Sequence, residues 1–333
     1  LPPRGLWCRP EKRHREGVPA RDNMYSLRMT VDKLAKPQYS DIYPWVRNLE
    51  QFICRIRERA LAYSGVQFTR PGISRIPKKS GGVRAVVSLT LEDRVLDSLF
   101  CDYLRSCFDR FFLENTFAYR ARKTNQPAPT HNDAILSLIT YASTHSGEQK
   151  WVAECDIASF FDSLSHQVIQ NSVAGFLSRN RLVVGRHVDR RAMLAIDSYL
   201  AFYDFNRDIF IPQSAEPSGP TCKWPKEMLE AFHEDLSKKA IGIPQGGAIS
   251  TILANIVLDT ADRAVLGPAD DPDLFYARYS DDIIIIHTNR DSCQAALDRY
   301  LAAMDSLKLP VYRPQSVGPY SHNKFWEHKS KSP

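Results

Sequence analysis

Two short apolar runs, Leu274 to Tyr279 and Ile283 to His287, are separated only by Ser280-Asp281-Asp282. Runs of this length, flanking residues that favour turns, predict an antiparallel hairpin with two acids at its tip. The neighbouring segments have a different period. Ile249, Ile252, Leu253, Ile256, Val257, Ala261 and Ala264 recur at helical spacing before the hairpin, and a helix from about Ser292 to Leu307 follows it. Trp151 to Ile157 reads as a strand, followed by a turn and by a helix opening near Ser165, a plausible N-cap. Strands alternating with helices around one tight hairpin predict an α+β fold with a helix-backed antiparallel sheet. A doubly wound fold is disfavoured, because no strand leads into a Gly-x-Gly-x-x-Gly turn.

The N-terminal half has its own pattern. Trp45, Leu49, Phe52, Ile53, Ile56 and Ala60 mark an amphipathic helix, with Arg55, Arg57 and Arg59 towards its end. Ile73 to Leu89, broken by Pro77, Ser80, Gly81 and Gly82, reads as strand, turn, strand. Helical spacing returns over 92–108, a loop is expected from Lys123 to Asn132, and a helix from Asp133. Residues 204–225 hold four Pro and no clear period, so they read as a long excursion. The chain has 333 residues, 43% hydrophobic and 25% charged, which fits a globular protein of two domains or one large interleaved one. No apolar run approaches the roughly 20 residues that span a bilayer, so no membrane partner is expected. The basic start, Leu1 to Gly17, is no secretory signal, and residues 1–25 read as a tail or expression remnant. Seven scattered Cys without a Cys-x-x-Cys pair suggest neither a disulfide framework nor a zinc ribbon, and reduced thiols in a cytoplasmic protein are the plain reading. The net charge is +6, and five basic residues with no acidic one lie between Arg70 and Arg84. That stretch is either a solvated basic hairpin or a surface for phosphate.

Chemistry concentrates at two acidic points. Asp156 ends an apolar strand within Glu154-Cys155-Asp156-Ile157-Ala158-Ser159-Phe160-Phe161-Asp162, and Asp281-Asp282 sit at the hairpin tip. A carboxylate among apolar residues is costly to desolvate unless something compensates it. A hard divalent cation does so, binding one or two carboxylates plus substrate phosphates, and a pair of such ions serves phosphate displacement. The plainer alternative is that Ser280-Asp281-Asp282 is only a turn. A third element, Gly242-Ile243-Pro244-Gln245-Gly246-Gly247-Ala248-Ile249-Ser250, leads into the amphipathic helix; its glycines permit close backbone approach, and Gln245 offers a donor and an acceptor.

Together these segments resemble the ordered motifs of reverse transcriptases over about residues 70–320, most closely the bacterial group II intron, retron and phage-defence kinds. Arg75-Ile76-Pro77-Lys78-Lys79-Ser80-Gly81-Gly82-Val83-Arg84 looks like the fingers hairpin. Phe117-Ala118-Tyr119-Arg120-Ala121-Arg122 is similar to the Gly-Phe-Arg-Pro segment, with Ala and Tyr in place of Gly and Phe. Asp156 to Asp162 resembles motif A, Pro244 to Asn255 motif B, and Tyr279 to Asp282 the Tyr-x-Asp-Asp of motif C. The resemblance implies a right-hand polymerase: fingers over 26–150 with a nucleotide-clamping hairpin at 70–90, and a palm over 151–323 with a helical or loop excursion at 173–240. The thumb is largely absent, with only its start or a tail at 324–333. It implies that Asp156, Asp281 and Asp282 are catalytic. They would hold two Mg2+ ions, or Mn2+, with the Ile157 carbonyl as a further ligand. Lys78 and Arg84 would clamp the triphosphate, Gln245 would line the nucleotide pocket, and Phe161 would lie beneath the sugar.

The implied partners are an RNA template, a DNA or RNA primer and deoxynucleotides. Because the sequence stops just after Phe325-Trp326, a continuation past Pro333, a structured non-coding RNA or a second protein chain is expected to supply the grip on the duplex. The implied function is RNA-directed addition of deoxynucleotides to a primer 3′ end, in an antiphage defence setting, with a template-independent DNA polymerase of the same fold or a catalytically inactive RNA-binding scaffold as the alternative functions. Where the family usually carries a Lys after the motif C helix, this sequence has Gln315, with Arg313 nearby.

Overall fold

The computed structural model describes residue 45 and residues 48–77, 83–121, 127–215, 221–267, 271–314 and 318–319. The chain divides into two compact units, 1–66 and 67–333. In the first, helix α1 (Leu49–Leu61) buries Phe52 against Trp45, ring centroids 5.4 Å apart. Glu50 in its first turn and Arg59 in its last complement the helix dipole.

The second unit opens with strands β1 (Gly72–Pro77) and β2 (Val83–Ser88), an antiparallel pair in which Ile76 lies opposite Arg84. Val83 and Ala85 are buried, so alternation leaves Arg84 on the exposed face. Helix α2 (Leu91–Phe108) is capped by the Thr90 hydroxyl, which accepts from the Asp93 N–H at 3.1 Å. Helix α3 (His131–Thr144) begins two residues before the expected Asp133, because Thr130 and Asp133 close a capping box that draws His131 and Asn132 into the first turn. Strand β3 (Trp151–Ile157) leads through a short helix α4 (Phe160–Ser163) into α5 (His166–Arg179) and α6 (Arg190–Phe202).

The expected excursion contains regular structure that its sequence hides. A π-helical turn at Asn206–Phe210 runs into α7 (Ile211–Ala215), and α8 (Lys226–Glu230) follows. A π turn breaks the 3.6-residue period, and the order comes from ring packing: Trp224 lies 5.6 Å from Phe205 and 4.6 Å from Phe210. Helix α9 (Ala248–Leu266), strands β4 (Leu274–Tyr279) and β5 (Asp282–His287), helix α10 (Arg290–Ser306) and strands β6 (Val311–Tyr312) and β7 (Gly318–Pro319) complete the unit.

The main sheet has the order β4-β5-β3-β6, with β7 also on β3, and every pairing is antiparallel. One face carries Tyr276, Arg278, Ile283, Ile285 and Cys155 against α9 and α10. The Tyr276 hydroxyl bonds Asp262 of α9, and the Cys293 thiol of α10 reaches the Trp151 carbonyl. Ile249, Ile252, Leu253, Ile256 and Val257 of α9 are essentially inaccessible, each burial stabilising by about 1.5–3 kcal/mol. The other face begins apolar: Val152, Ile284, Ile286 and Phe275 pack under Tyr141 and Leu138 of α3. Along the strands it turns acidic, through Glu154 to Asp156 on β3 and Asp282 on β5. Among the described residues no helix is long and apolar enough to cross a membrane.

Candidate active site

The sheet register brings the two acidic points together. The last β3–β5 pair is Cys155 with Ile283, so one step further sets Asp156 level with Asp282. Tyr279 pairs with Asp282 and closes a two-residue turn, Ser280-Asp281. Asp156 is buried, Asp281 half-buried and Asp282 exposed. Burial holds the Asp281 carboxyl above the usual carboxylate range; the charges of Asp282 and Asp156 add to this, while its own backbone N–H and the Ser280 hydroxyl oppose it. Both turns carry a non-glycine residue in the left-handed region, Ser159 at φ 48° and Ser280 at φ 63°, the kind of local strain that persists only where surroundings enforce it.

The enforcing groups at Ser280 are clear. Arg278 Nη1 donates to the Ser280 carbonyl at 2.9 Å, and the Tyr119 hydroxyl lies 3.1 Å from Ser280 Oγ. Arg278 is fully buried and forks onto Asp262, Nε to Oδ1 at 2.7 Å and Nη2 to Oδ2 at 2.7 Å, with Nη1 also 3.1 Å from Asn255 Oδ1. Asn255 in turn donates to the Ala118 carbonyl at 3.0 Å. Sequence reasoning missed this network. Its signal was present: Asn255 and Asp262 interrupt the apolar stripe of α9 seven residues apart, two turns along one face.

The glycine segment docks by backbone. Gly242 N donates to Leu164 O at 2.8 Å and Ile243 N to Phe161 O at 2.9 Å, which ties the segment to the turn after β3. The close approach is made by this chain's own rings: a Cβ on Gly247 would lie 1.8 Å from the Tyr199 hydroxyl. That hydroxyl is 2.8 Å from Ser250 Oγ, which donates to Pro244 O at 2.7 Å. We expect Gly247→Ala to destabilise the fold by about 1–3 kcal/mol, and Tyr199→Phe added to it to recover part of the loss. Urea unfolding of the two variants checks this.

The other expected site residues fall as follows. Gln245 Nε2 donates to Asp162 Oδ2 at 2.9 Å, linking the glycine segment to the end of the Asp156–Asp162 stretch. Phe160 is core, whereas Phe161 beside it, ring centroids 5.1 Å apart, is half-buried. Ile157 is buried at the strand end, paired with Val311. Arg84 stands exposed on β2; Lys78 and Gln315 lie outside the described residues. Arg313 forms an ion pair with Asp305.

The donors at the acidic cluster are all oxygens, the set that hard divalent cations take, and the repulsion acting on Asp281 is of the sign a cation offsets. Among the described residues, no three His, Cys, Asp or Glu side chains converge tightly enough to cage an ion unaided. Magnesium sites that complete their shell with substrate phosphates and water need no such cage.

A helix-backed antiparallel sheet with acids at a strand end and a hairpin tip defines an α+β protein of the polymerase-palm class. The model of the family described as reverse transcriptase (RNA-dependent DNA polymerase) matches residues 76–313, and the chain belongs to that family. Protein YkfC of Escherichia coli (strain K12) is 22% identical over 280 residues, 71% of this chain. The chain spans 61% of that relative's length. Among solved structures, a telomerase from Candida albicans bound to a fragment of telomeric RNA is similar at TM-score 0.47 and 15% identity, covering 82% of this chain and 45% of that one. An apo telomerase from Candida tropicalis is similar at TM-score 0.44 and 14% identity, covering 78% and 45%.

Proposed function

We propose that this chain is an RNA-directed DNA polymerase that adds deoxynucleotides to a primer 3′ end at the cluster of Asp156, Asp281 and Asp282. The observation that carries the reading is the meeting of two acidic points: Asp156 at a strand end level with Asp282, and Asp281 in the strained hairpin tip, near enough that the charges of both act on it. Asp156 and Asp281 would hold two Mg2+ ions, or Mn2+ in their place, with Asp282 and the Ile157 carbonyl in support. Such ions activate the attacking hydroxyl and stabilise the leaving oxygen in phosphate displacement. The chain's own groups do the rest. Arg278 and Tyr119 fix the tip so that Asp281 keeps its place, and the Gln245–Asp162 bond ties the glycine segment to the stretch that begins at Asp156. In this reading the β1–β2 hairpin and α2 belong to the fingers, the main sheet with α9 and α10 to the palm, and the partners are an RNA template, a primer and deoxynucleoside triphosphates. Antiphage defence is the setting this reading assigns, on motif resemblance alone.

Arg84, exposed on β2 beside the segment that carries Lys78, would neutralise the incoming triphosphate. We expect Arg84→Ala to raise the nucleotide KM or lower kcat, with primer-template affinity little changed. A residue that only binds strand phosphate would instead weaken binding and lower its salt slope by about one, so salt-titrated binding tells the two roles apart. Phe161 would fill the space of a ribose 2′-hydroxyl. Exclusion by packing at a tight site is worth about 1–3 kcal/mol, or roughly ten- to a hundredfold in rate. Phe161→Val should therefore raise the ratio of ribonucleotide to deoxynucleotide incorporation at least about tenfold; an unchanged ratio in an active variant assigns the ring to the core. Primer extension on a defined RNA template, with a template-free control, tests the whole reading.

A further inference from the structure

A cleft of about 550 Å³ opens between the start of α5, the segment 233–240 and the C-terminus of α10, and none of its lining residues belongs to the candidate active site. Its charge is unbalanced. Arg207 is forked onto Asp208, and Lys238 is 2.8 Å from Asp235, but Lys239 and Lys308 have no carboxylate partner among the described residues. Among the described residues, Asp197 is the only acid lining the cleft. The same cleft is lined by His233, 6% exposed, whose Nε2 has no hydrogen-bond partner among the described residues. Burial first, and then the charges of Lys308 and Lys239, push its imidazole below the ordinary range. Two lysines without carboxylate partners beside a buried ring nitrogen without a hydrogen-bond partner favour an anion at this point.

Lys308 adds an independent observation. It follows α10 at φ 54°, with Lys308 N donating to Asp305 O at 3.0 Å and Leu309 N to Met304 O at 3.0 Å. That is the paired-bond helix terminus whose left-handed position glycine fills most easily. A lysine there bears backbone strain that glycine would not, and its side chain lines the cleft. We propose that this cleft is an anion site that receives phosphoryl oxygens on Lys239 and Lys308, carried by either a nucleic-acid strand or a free nucleotide. The site stands independently of the chemistry at Asp156 and Asp281.

The test is calorimetric titration of the full chain with pyrophosphate in EDTA, so that no divalent cation recruits the acidic cluster. The parent should bind. Lys239→Ala and Lys308→Gly should each weaken binding by at least about tenfold, the worth of one charge-assisted contact. Lys308→Gly should do so without lowering the thermal midpoint, because glycine relieves the strained φ. Parent protein that does not bind, or variants that bind like the parent, overturn the proposal. Displacement of pyrophosphate by a single-stranded oligonucleotide identifies a strand as the source. Displacement by a deoxynucleoside triphosphate but not by the oligonucleotide identifies a free nucleotide. Displacement by neither overturns the site.

Discussion

Asp281→Asn is expected to abolish primer extension while leaving a folded protein. The side chain keeps its shape and loses its charge, so the packing of the hairpin tip is preserved. Asp281 faces two other carboxylates. Removing its charge relieves a repulsion, and the unfolding midpoint should be no lower than that of the parent. Function should move the opposite way. A carboxylate that helps hold charge against a transferring phosphate contributes several kcal/mol of transition-state stabilisation, and about 4 kcal/mol is a thousandfold in rate. Extension by a folded Asp281→Asn protein within about tenfold of the parent would remove Asp281 from the site. Opposed changes in stability and activity mark a functional site and separate this outcome from simple misfolding.

The largest effect on stability should come from Arg278, buried between the main sheet and α9. Its guanidinium is wholly buried and meets Asp262, Asn255 and the Ser280 carbonyl at once. Arg278→Met leaves Asp262 in the core without its counter-charge, keeping only the hydroxyl donors of Tyr276 and Thr116, which costs about 3–5 kcal/mol. Replacing both partners, with Arg278→Met and Asp262→Leu together, should recover much of that loss, because two apolar side chains leave no uncompensated charge. Activity should not recover with it. The Ser280 carbonyl loses its donor in either variant, which leaves the tip held only through Tyr119, and kcat should stay low. Chemical denaturation of the two variants, alongside their single-turnover rates, separates the two contributions.

The elements with a plain period were legible in the sequence. β4, β5 and α9 fall where apolar spacing put them, and the carboxylates of Asp156 and Asp281 stood out because charge inside an apolar run demands a reason. What escaped was set by distant partners. Arg278 and Asp262 drew no reading from the sequence, because 16 residues separate the two halves of one buried ion pair. Gln245 offered a donor and an acceptor without saying to whom, and its partner Asp162 lies 83 positions away. The Gly247 requirement depends on a Tyr199 hydroxyl brought in by another helix. The π turn at 206–210 hid inside a segment whose prolines suggested only irregularity.

The most direct measurement is extension of a labelled primer by the purified chain with Mg2+ and all four deoxynucleoside triphosphates, on an RNA template of defined sequence and in its absence. The account predicts products whose sequence complements the template and whose formation requires it. A folded chain that makes no product in either condition, or the same product in both, would contradict it.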